Sequence, residues 1–213
     1  MTLGLHPDAV AAAREHTDRR KAAAWACLAG LGQGAIVLFG HLAFPYVRNL
    51  LLGPAYLLLL PAIAHLQLRH AGVRGSGATL GTITGVAALL LGVGGELNVD
   101  AQPAALFALG MWWWTIGKLW AETGVLSAAF GGLTAGAGTL ALLASFVASG
   151  LAPLTALNPG IPDLALWDAS RCALAAWSVI LGLALYRSPG RLPSGRPEAQ
   201  RANESEEHIS LTR

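Results

Sequence analysis

Histidine is the side chain in this sequence best suited to hold a metal or a haem, and the spacing of the histidines argues against both. His41 falls near one end of the first long apolar run, whereas His65 falls near the opposite end of the second. At a rise of 1.5 Å per residue, the two would lie about 20 Å apart across a bilayer, too far to hold one haem between them. His70 follows His65 on the same segment, so that pair does not sandwich an iron either.

The other motifs of metal, redox and nucleotide chemistry are missing from the sequence, which has no HExxH, CxxC, Walker loop or GxSxG. Cys27 and Cys172 fall in opposite halves of the predicted bilayer, and their depths differ by more than the roughly 7 Å that a disulfide can span. We therefore predict free thiols, no metal and no cofactor. Nucleic-acid binding is not predicted either, because the basic residues border apolar runs, as membrane topology requires.

The composition indicates a chain whose middle lies in hydrocarbon. Of the 213 residues, 54% are hydrophobic and only 12% are charged, about half the charged share of a soluble domain. The charges concentrate in residues 1–21 and 187–213, and long apolar blocks fill the span between them. Soluble helices carry a polar stripe that these blocks lack. The sequence therefore predicts an all-α, polytopic integral membrane protein.

A membrane-spanning helix needs about 20 apolar residues, and six windows of the chain meet or nearly meet that length. They are about 22–44, 50–68, 78–95, 103–121, 125–150 and 168–186. Pro54 suits the first turn of the second helix, whereas Pro61 should kink that helix. Residues 151–167 contain three prolines and are predicted to form a loop. Before the first window, residues 6–21 are predicted to be helical.

Lys and Arg predict the orientation, because cytoplasmic loops carry an excess of cations. Twelve of the 14 fall on the side of both chain ends, and only Arg48 and Arg171 fall on the other side. Both termini are therefore predicted to be cytoplasmic. The predicted domains are a basic segment, a six-helix transmembrane domain and a disordered cytoplasmic tail, over residues 1–21, 22–186 and 187–213. The Ala-, Gly- and Arg-rich usage suggests a bacterial inner membrane.

Candidate ligand-binding residues lie on the fourth predicted helix. Lys118 and Trp120 fall at its cytoplasmic end, where both residue types anchor helices at the headgroups. Glu122 can pair with Lys118 four residues before it, and Trp114 can form a cation–π contact with the same lysine. The three consecutive tryptophans point in different directions, so at least one should face another helix. A flat ligand packed against Trp113 or Trp114 is the alternative.

Polar residues elsewhere give two further candidate sites. Gln33 is polar near the predicted bilayer centre, so its amide needs a partner, which is a backbone carbonyl or a Thr of a neighbouring helix or else a substrate. The outer loops supply polar residues that could converge on a small polar ligand, a cation or a partner protein: His41, Arg48, Glu96, Asp100, Asp163, Asp168 and Arg171. The alternative is that these loops are simply solvated. No charged residue falls at the midplane of a predicted helix, which does not favour ion-coupled transport.

Glycines four residues apart predict close packing of helices in lipid, because they let the backbones approach. Such pairs occur in the first, third and fifth predicted helices: Gly30 and Gly34, Gly81 and Gly85, and Gly132 and Gly136. We interpret them as packing contacts within the chain. A seam between two copies of the chain is the alternative.

These residues indicate location more clearly than activity. We predict a non-catalytic, multi-pass inner-membrane protein that acts as a scaffold or partner subunit, in contact with the lipid bilayer and with a membrane-protein partner or a second copy of itself. One alternative is a facilitative transporter or small-ligand-binding membrane protein that uses Gln33 and the tryptophans of the fourth helix. The other is a membrane enzyme acting on lipid or quinone, with Lys118 and Glu122 or the outer acids as its polar groups.

Overall fold

The computed structural model describes residues 7–41, 45–149 and 163–188, and every regular element in these ranges is helical. The described part contains six α-helices, with a short 3-10 turn, Val99–Ala101, before the fourth. The helices are α1 (Pro7–His41), α2 (Pro45–Leu57), α3 (Leu60–Leu97), α4 (Gln102–Thr123), α5 (Ala128–Ala148) and α6 (Asp163–Arg187). The predicted loop up to residue 162 and the predicted tail beyond residue 188 lie outside the described residues.

The ends of the helices follow local sequence signals. α1 begins at Pro7, because proline lacks the amide hydrogen that would be unpaired in a first turn, and it continues unbroken into the first apolar run. Gly124 ends α4 in the left-handed conformation that glycine adopts without strain (φ 65°). Ser127 then caps α5 by accepting a hydrogen bond from the Phe130 amide. α6 begins at Asp163, five residues earlier than predicted.

The second predicted helix is divided at residues 58–59 into α2 and the start of α3. Pro61 has no amide hydrogen for the helical ladder, and the ladder tightens just before it. The Leu59 amide donates to the Tyr56 carbonyl at 3.1 Å, so it does not reach the Ala55 carbonyl as it would in an α-helix. The disturbance predicted at Pro61 is therefore confirmed. Pro54 lies inside α2 and not in a first turn, because α2 begins earlier than predicted.

α3 is a helical hairpin that reverses at Arg74, whose φ of −152° and ψ of 73° are not helical. The Thr82 hydroxyl donates to Gln67 Oε1 at 2.6 Å, although residues this far apart in a straight helix would be separated by about 22 Å. The two arms, residues 60–73 and 75–97, therefore run antiparallel. The third predicted helix, 78–95, lies in the second arm.

Four glycines bring α4 and α5 into direct backbone contact. Gly110 and Gly117 of α4 face Gly138 and Gly131 of α5, in antiparallel order. A Cβ added at Gly117 would lie only 2.3 Å from the Ala135 amide nitrogen. Backbones this close gain extensive van der Waals contact, which holds the two helices together.

α1 and α6 also run antiparallel in close contact. A Cβ added at Gly30 would lie 2.6 Å from the Ala175 carbonyl oxygen, and one added at Gly182 would lie 2.6 Å from the Ala23 carbonyl oxygen. The start of α1 and the end of α6 therefore share one end of the bundle.

Four stretches of the described chain are long and apolar enough to cross a membrane: Val10–Phe39, Asn49–Leu97, Ala128–Ala148 and Leu166–Arg187. This is the character of a membrane protein. The second stretch spans α2 and both arms of α3, so it contains more helix than one crossing needs. α4 is not among the four, although it packs against both the α3 hairpin and α5.

Candidate functional site

A buried polar cluster joins α2, α3 and α6. The Glu96 side chain is completely buried, and its two oxygens accept hydrogen bonds from Arg171 Nη1 at 3.2 and 3.0 Å. The Tyr56 hydroxyl donates to the same carboxylate at 3.2 Å. Arg171 also pairs with Asp168, three residues before it on α6. We call Tyr56, Glu96, Asp168 and Arg171 the acidic-end cluster.

The local sequence explains why these charges belong together. Glu96 lies in the last turn of α3, where the helix dipole disfavours a negative charge. Asp168 and Arg171 lie three residues apart on α6, so they share one helix face. Each charged side chain thus contacts an opposite charge, which is what makes burial tolerable in a medium of low dielectric constant. The arrangement ties the end of α3 to the start of α6.

The acidic-end cluster contains three of the seven residues predicted for an outer polar site, Glu96, Asp168 and Arg171. Asp100 does not join them. It is exposed in the 3-10 turn, where its amide donates to Asn98 Oδ1 at 3.0 Å. The remaining three side chains lie outside the part of the chain whose side chains are described: His41, Arg48 and Asp163. Tyr56 was missed, because one tyrosine in an apolar helix gives no local signal of a partner 40 residues away.

Tryptophans of α4 and α6 fill the middle of the bundle. The Trp177 ring centroid lies 5.2 Å from that of Trp112, 5.5 Å from that of Trp113 and 6.2 Å from that of Trp120. The Trp177 indole also donates to the Thr134 hydroxyl of α5 at 3.1 Å. Trp113, a predicted ligand contact, is therefore packed against another ring of the protein. Trp177 was missed as its partner because it stands alone in an apolar run.

The other candidates on α4 lie at its outer surface. Trp114 is exposed, and the Lys118 ammonium lies 5.4 Å from its ring centroid, so the predicted cation–π contact is confirmed. Glu122 pairs with Arg74 at the turn of the α3 hairpin. This corrects the expected pair with Lys118, because the hairpin brings a second cation to the end of α4. The structure does not bring these side chains together with Gln33.

Gln33 is buried on α1, and its Nε2 donates to the Ala55 carbonyl at 3.2 Å. This is the carbonyl that the Leu59 amide leaves free where Pro61 disturbs the ladder. A backbone carbonyl is one of the partners predicted for Gln33. Its side chain therefore completes the hydrogen bonding of an interrupted helix.

Half of the predicted packing glycines lie at helix contacts, namely Gly30, Gly81 and Gly85. The other half have open space where a Cβ would stand, as far as the described residues extend: Gly34, Gly132 and Gly136. Helix α5 instead uses Gly131 and Gly138, which are seven residues apart, like their partners Gly110 and Gly117 on α4. This shared seven-residue spacing is the feature of the sequence that could have predicted the contact between α4 and α5.

At the opposite end of the bundle, two arginines converge on Ser188, the residue after α6. Arg19 donates to the Ser188 carbonyl, and Arg69 Nη1 donates to its hydroxyl at 3.3 Å. Carbonyls at the end of a helix carry a partial negative charge that attracts cations. We call this the basic end, because Arg74 and Lys118 also lie there. These contacts join α1, the α3 hairpin and α6.

A small cavity lies between the α3 hairpin and α4, beneath the basic end. Its polar lining comes from the hairpin, and its rings come from α4: Gln67, His70, Thr82, Trp112 and Trp120. About 20 Å³ is open to the centre of a water molecule, which is room for one or two waters. His70 was not predicted as a site residue. A histidine in an apolar run is more often a core residue, and its sequence neighbours give no cue to a cavity.

Within the described ranges, no three His, Cys, Asp or Glu side chains are grouped so as to hold a metal ion. The two cysteines are free thiols, and Cys27 packs beside the Val179 carbonyl at 3.8 Å. Comparison with known protein families, with curated proteins and with solved structures finds no match to this chain.

Proposed function

We propose that this chain is a six-crossing protein of a bacterial inner membrane, with both ends in the cytoplasm, that acts as a non-catalytic scaffold or partner subunit. The observation that carries the proposal is the packing of four tryptophan rings in the core. The tryptophans of α4 and α6 pack against one another between the basic end and the acidic-end cluster. This packing favours a rigid structural body over a passage for solutes.

The reversal at Arg74 supports the proposed number of crossings. It divides the long apolar stretch Asn49–Leu97 into two antiparallel arms. With α4, this gives six crossings: α1, α2 with the first arm of α3, the second arm, α4, α5 and α6. The antiparallel contact of α1 with α6 supports the even number, because it brings the two ends of the transmembrane domain to the same side.

The charges at the two ends of the bundle support the proposed orientation. The basic end carries Arg19, Arg69, Arg74 and Lys118, whereas the opposite end carries the acidic-end cluster and the exposed Asp100. Cytoplasmic ends of membrane helices are enriched in Lys and Arg. We therefore assign the basic end to the cytoplasm.

Reporter fusions test the six crossings and the orientation. Alkaline phosphatase fused after residue 75 should be inactive because the hairpin turn is cytoplasmic, and the same enzyme fused after residue 100 should be active. A four-crossing protein, in which α3 does not cross twice, would give the same activity at both positions. If the fusion after residue 75 is active and the one after residue 100 is inactive, the orientation is wrong but the number of crossings stands.

Extraction of the native membrane into polymer-bounded lipid discs tests the scaffold role. Native mass spectrometry of the discs should find the chain with a second polypeptide, or a second copy, at a fixed stoichiometry. Purified protein in sealed liposomes should leave the leak rate of trapped small solutes unchanged. A monomer throughout, combined with solute release that depends on the protein, would replace the scaffold by the facilitative pathway.

A further inference from the structure

His70 lines the cavity beneath the basic end and has a buried hydrogen-bonding atom without a partner. The residue is 1% exposed, and it lines the cavity together with Trp112 and Trp120. Its Nε2 atom has no hydrogen-bond partner among the described residues. A buried polar atom without a partner costs free energy, so this position favours a bound group that supplies the missing bond.

The other ring nitrogen determines what kind of group that is. His70 Nδ1 lies 2.7 Å from the Leu66 carbonyl oxygen, one turn earlier on the same arm. A carbonyl can only accept, so Nδ1 carries the proton and donates. In the neutral ring, Nε2 then holds a bare lone pair and can only accept a hydrogen bond. The missing partner is therefore a donor.

The walls of the cavity narrow the choice of donor further. Most of the lining is apolar or aromatic, and the Gln67 and Thr82 side chains are already joined to each other at 2.6 Å. A charged group would be desolvated here at high cost. The open volume admits a hydroxyl but not a whole ring, so a ring that carries the hydroxyl would lie outside this space, at its mouth. His70 is about 6 Å from the hairpin turn on the helical rise, near the depth where amphipathic rings gather.

We propose that the cavity binds the hydroxyl group of a neutral, lipid-soluble aromatic alcohol, the chemistry of a phenol or a quinol. The hydroxyl donates to His70 Nε2, and the ring rests at the mouth between the hairpin and α4. This binding is independent of the scaffold role, and it holds whether or not a partner subunit is found.

The probes are 4-fluorophenol and its methyl ether, 4-fluoroanisole, which differ in the hydroxyl donor. They are observed by ¹⁹F NMR in lipid nanodiscs with the full-length protein and in empty nanodiscs. We expect saturable, protein-dependent binding of the phenol and about tenfold weaker binding of the ether, the effect of one hydrogen bond. Equal binding of both probes, or no protein-dependent binding of the phenol, would overturn the proposal and leave only a bound water.

Two variants and one control test whether the phenol binds in the cavity beside His70. His70→Leu should weaken phenol binding about tenfold. His65→Leu should leave it unchanged, because His65 is similarly buried on the same arm but does not line the cavity. Ala78→Leu fills the cavity with His70 intact and should also abolish binding, which keeps the test valid if His70→Leu unfolds. Unchanged binding in folded His70→Leu or Ala78→Leu protein contradicts the site.

Discussion

Substitution of glycines in α4 and α5 should separate the contacts that hold the bundle from those that merely look similar in the sequence. A Cβ at Gly117 would lie 2.3 Å from the Ala135 amide nitrogen, and one at Gly138 would lie 2.4 Å from the Trp114 amide nitrogen. These neighbours are backbone atoms, so α4 and α5 must move apart by about 1 Å to restore normal contact. Overpacking of this kind costs about 1–3 kcal/mol.

The same change also has a favourable part, because alanine in a helix is more stable than glycine by up to about 1 kcal/mol. Gly117→Ala and Gly138→Ala should therefore destabilise the protein by about 1–2 kcal/mol each. Gly132→Ala and Gly136→Ala are matched controls on α5, since no atom of another described element lies within 4 Å of the added Cβ. They should be neutral or slightly stabilising.

Thermal unfolding in detergent, followed by tryptophan fluorescence, measures the difference, because the tryptophans form the core beside this contact. A change of 1 kcal/mol shifts Tm by roughly 2–4 °C in a chain of this size. The double variant Gly117→Ala/Gly138→Ala should cost less than the sum, because one separation of the helices accommodates both methyl groups. If Gly117→Ala is as stable as Gly136→Ala, the close approach of α4 and α5 is wrong. If the controls are the destabilised pair, the seam between two copies is favoured instead.

Two further predictions concern buried polar contacts. Arg171→Met should destabilise the protein by about 3–5 kcal/mol because it leaves the Glu96 charge buried, and the double variant Glu96→Leu/Arg171→Met should recover most of that loss. Denaturant unfolding of the two single variants and the double variant measures both effects. If the double variant loses as much stability as Arg171→Met alone, the prediction is contradicted. Gln33→Met should cost about 1–3 kcal/mol by leaving the Ala55 carbonyl unpaired. That cost should shrink in a Pro61→Ala background, where the ladder can close, and an equal cost in both backgrounds would refute the role of Gln33.

The sequence predicted the local consequences of individual residues better than the pairing of helices. The disturbance at Pro61 follows from the missing amide of proline, which acts within one turn. The face of α5 that contacts another helix does not follow in this way, because the same helix offers two pairs of glycines, Gly131 with Gly138 and Gly132 with Gly136. Only the position of α4 decides between the two faces.

Charge pairing shows the same limit. Glu96, Asp168 and Arg171 were placed at one end of the bundle, where their convergence was one of two possibilities, the other being that the loops are simply solvated. The partner of Glu122 was not, because a helix places Lys118 within reach four residues away. The connection between the second and third predicted helices already puts Arg74 at this end of the bundle, but only the packing of the hairpin on α4 brings Arg74 to Glu122.

The composition of α4 is explained by its position inside the bundle. It is absent from the stretches apolar enough to cross a membrane by themselves, yet the Gly81 and Gly85 side of the hairpin packs on one of its faces and α5 packs on another. The side chains it leaves well exposed follow one narrow stripe: Ala104, Phe107, Trp114, Lys118, Ala121 and Glu122. In the proposed six-crossing arrangement only this stripe needs to suit lipid, and its charged members lie at the basic end, where the Lys118 ammonium can reach the headgroups. The remaining faces meet protein, so indole rings and glycines are retained there for packing, although they lower the hydropathy of the helix.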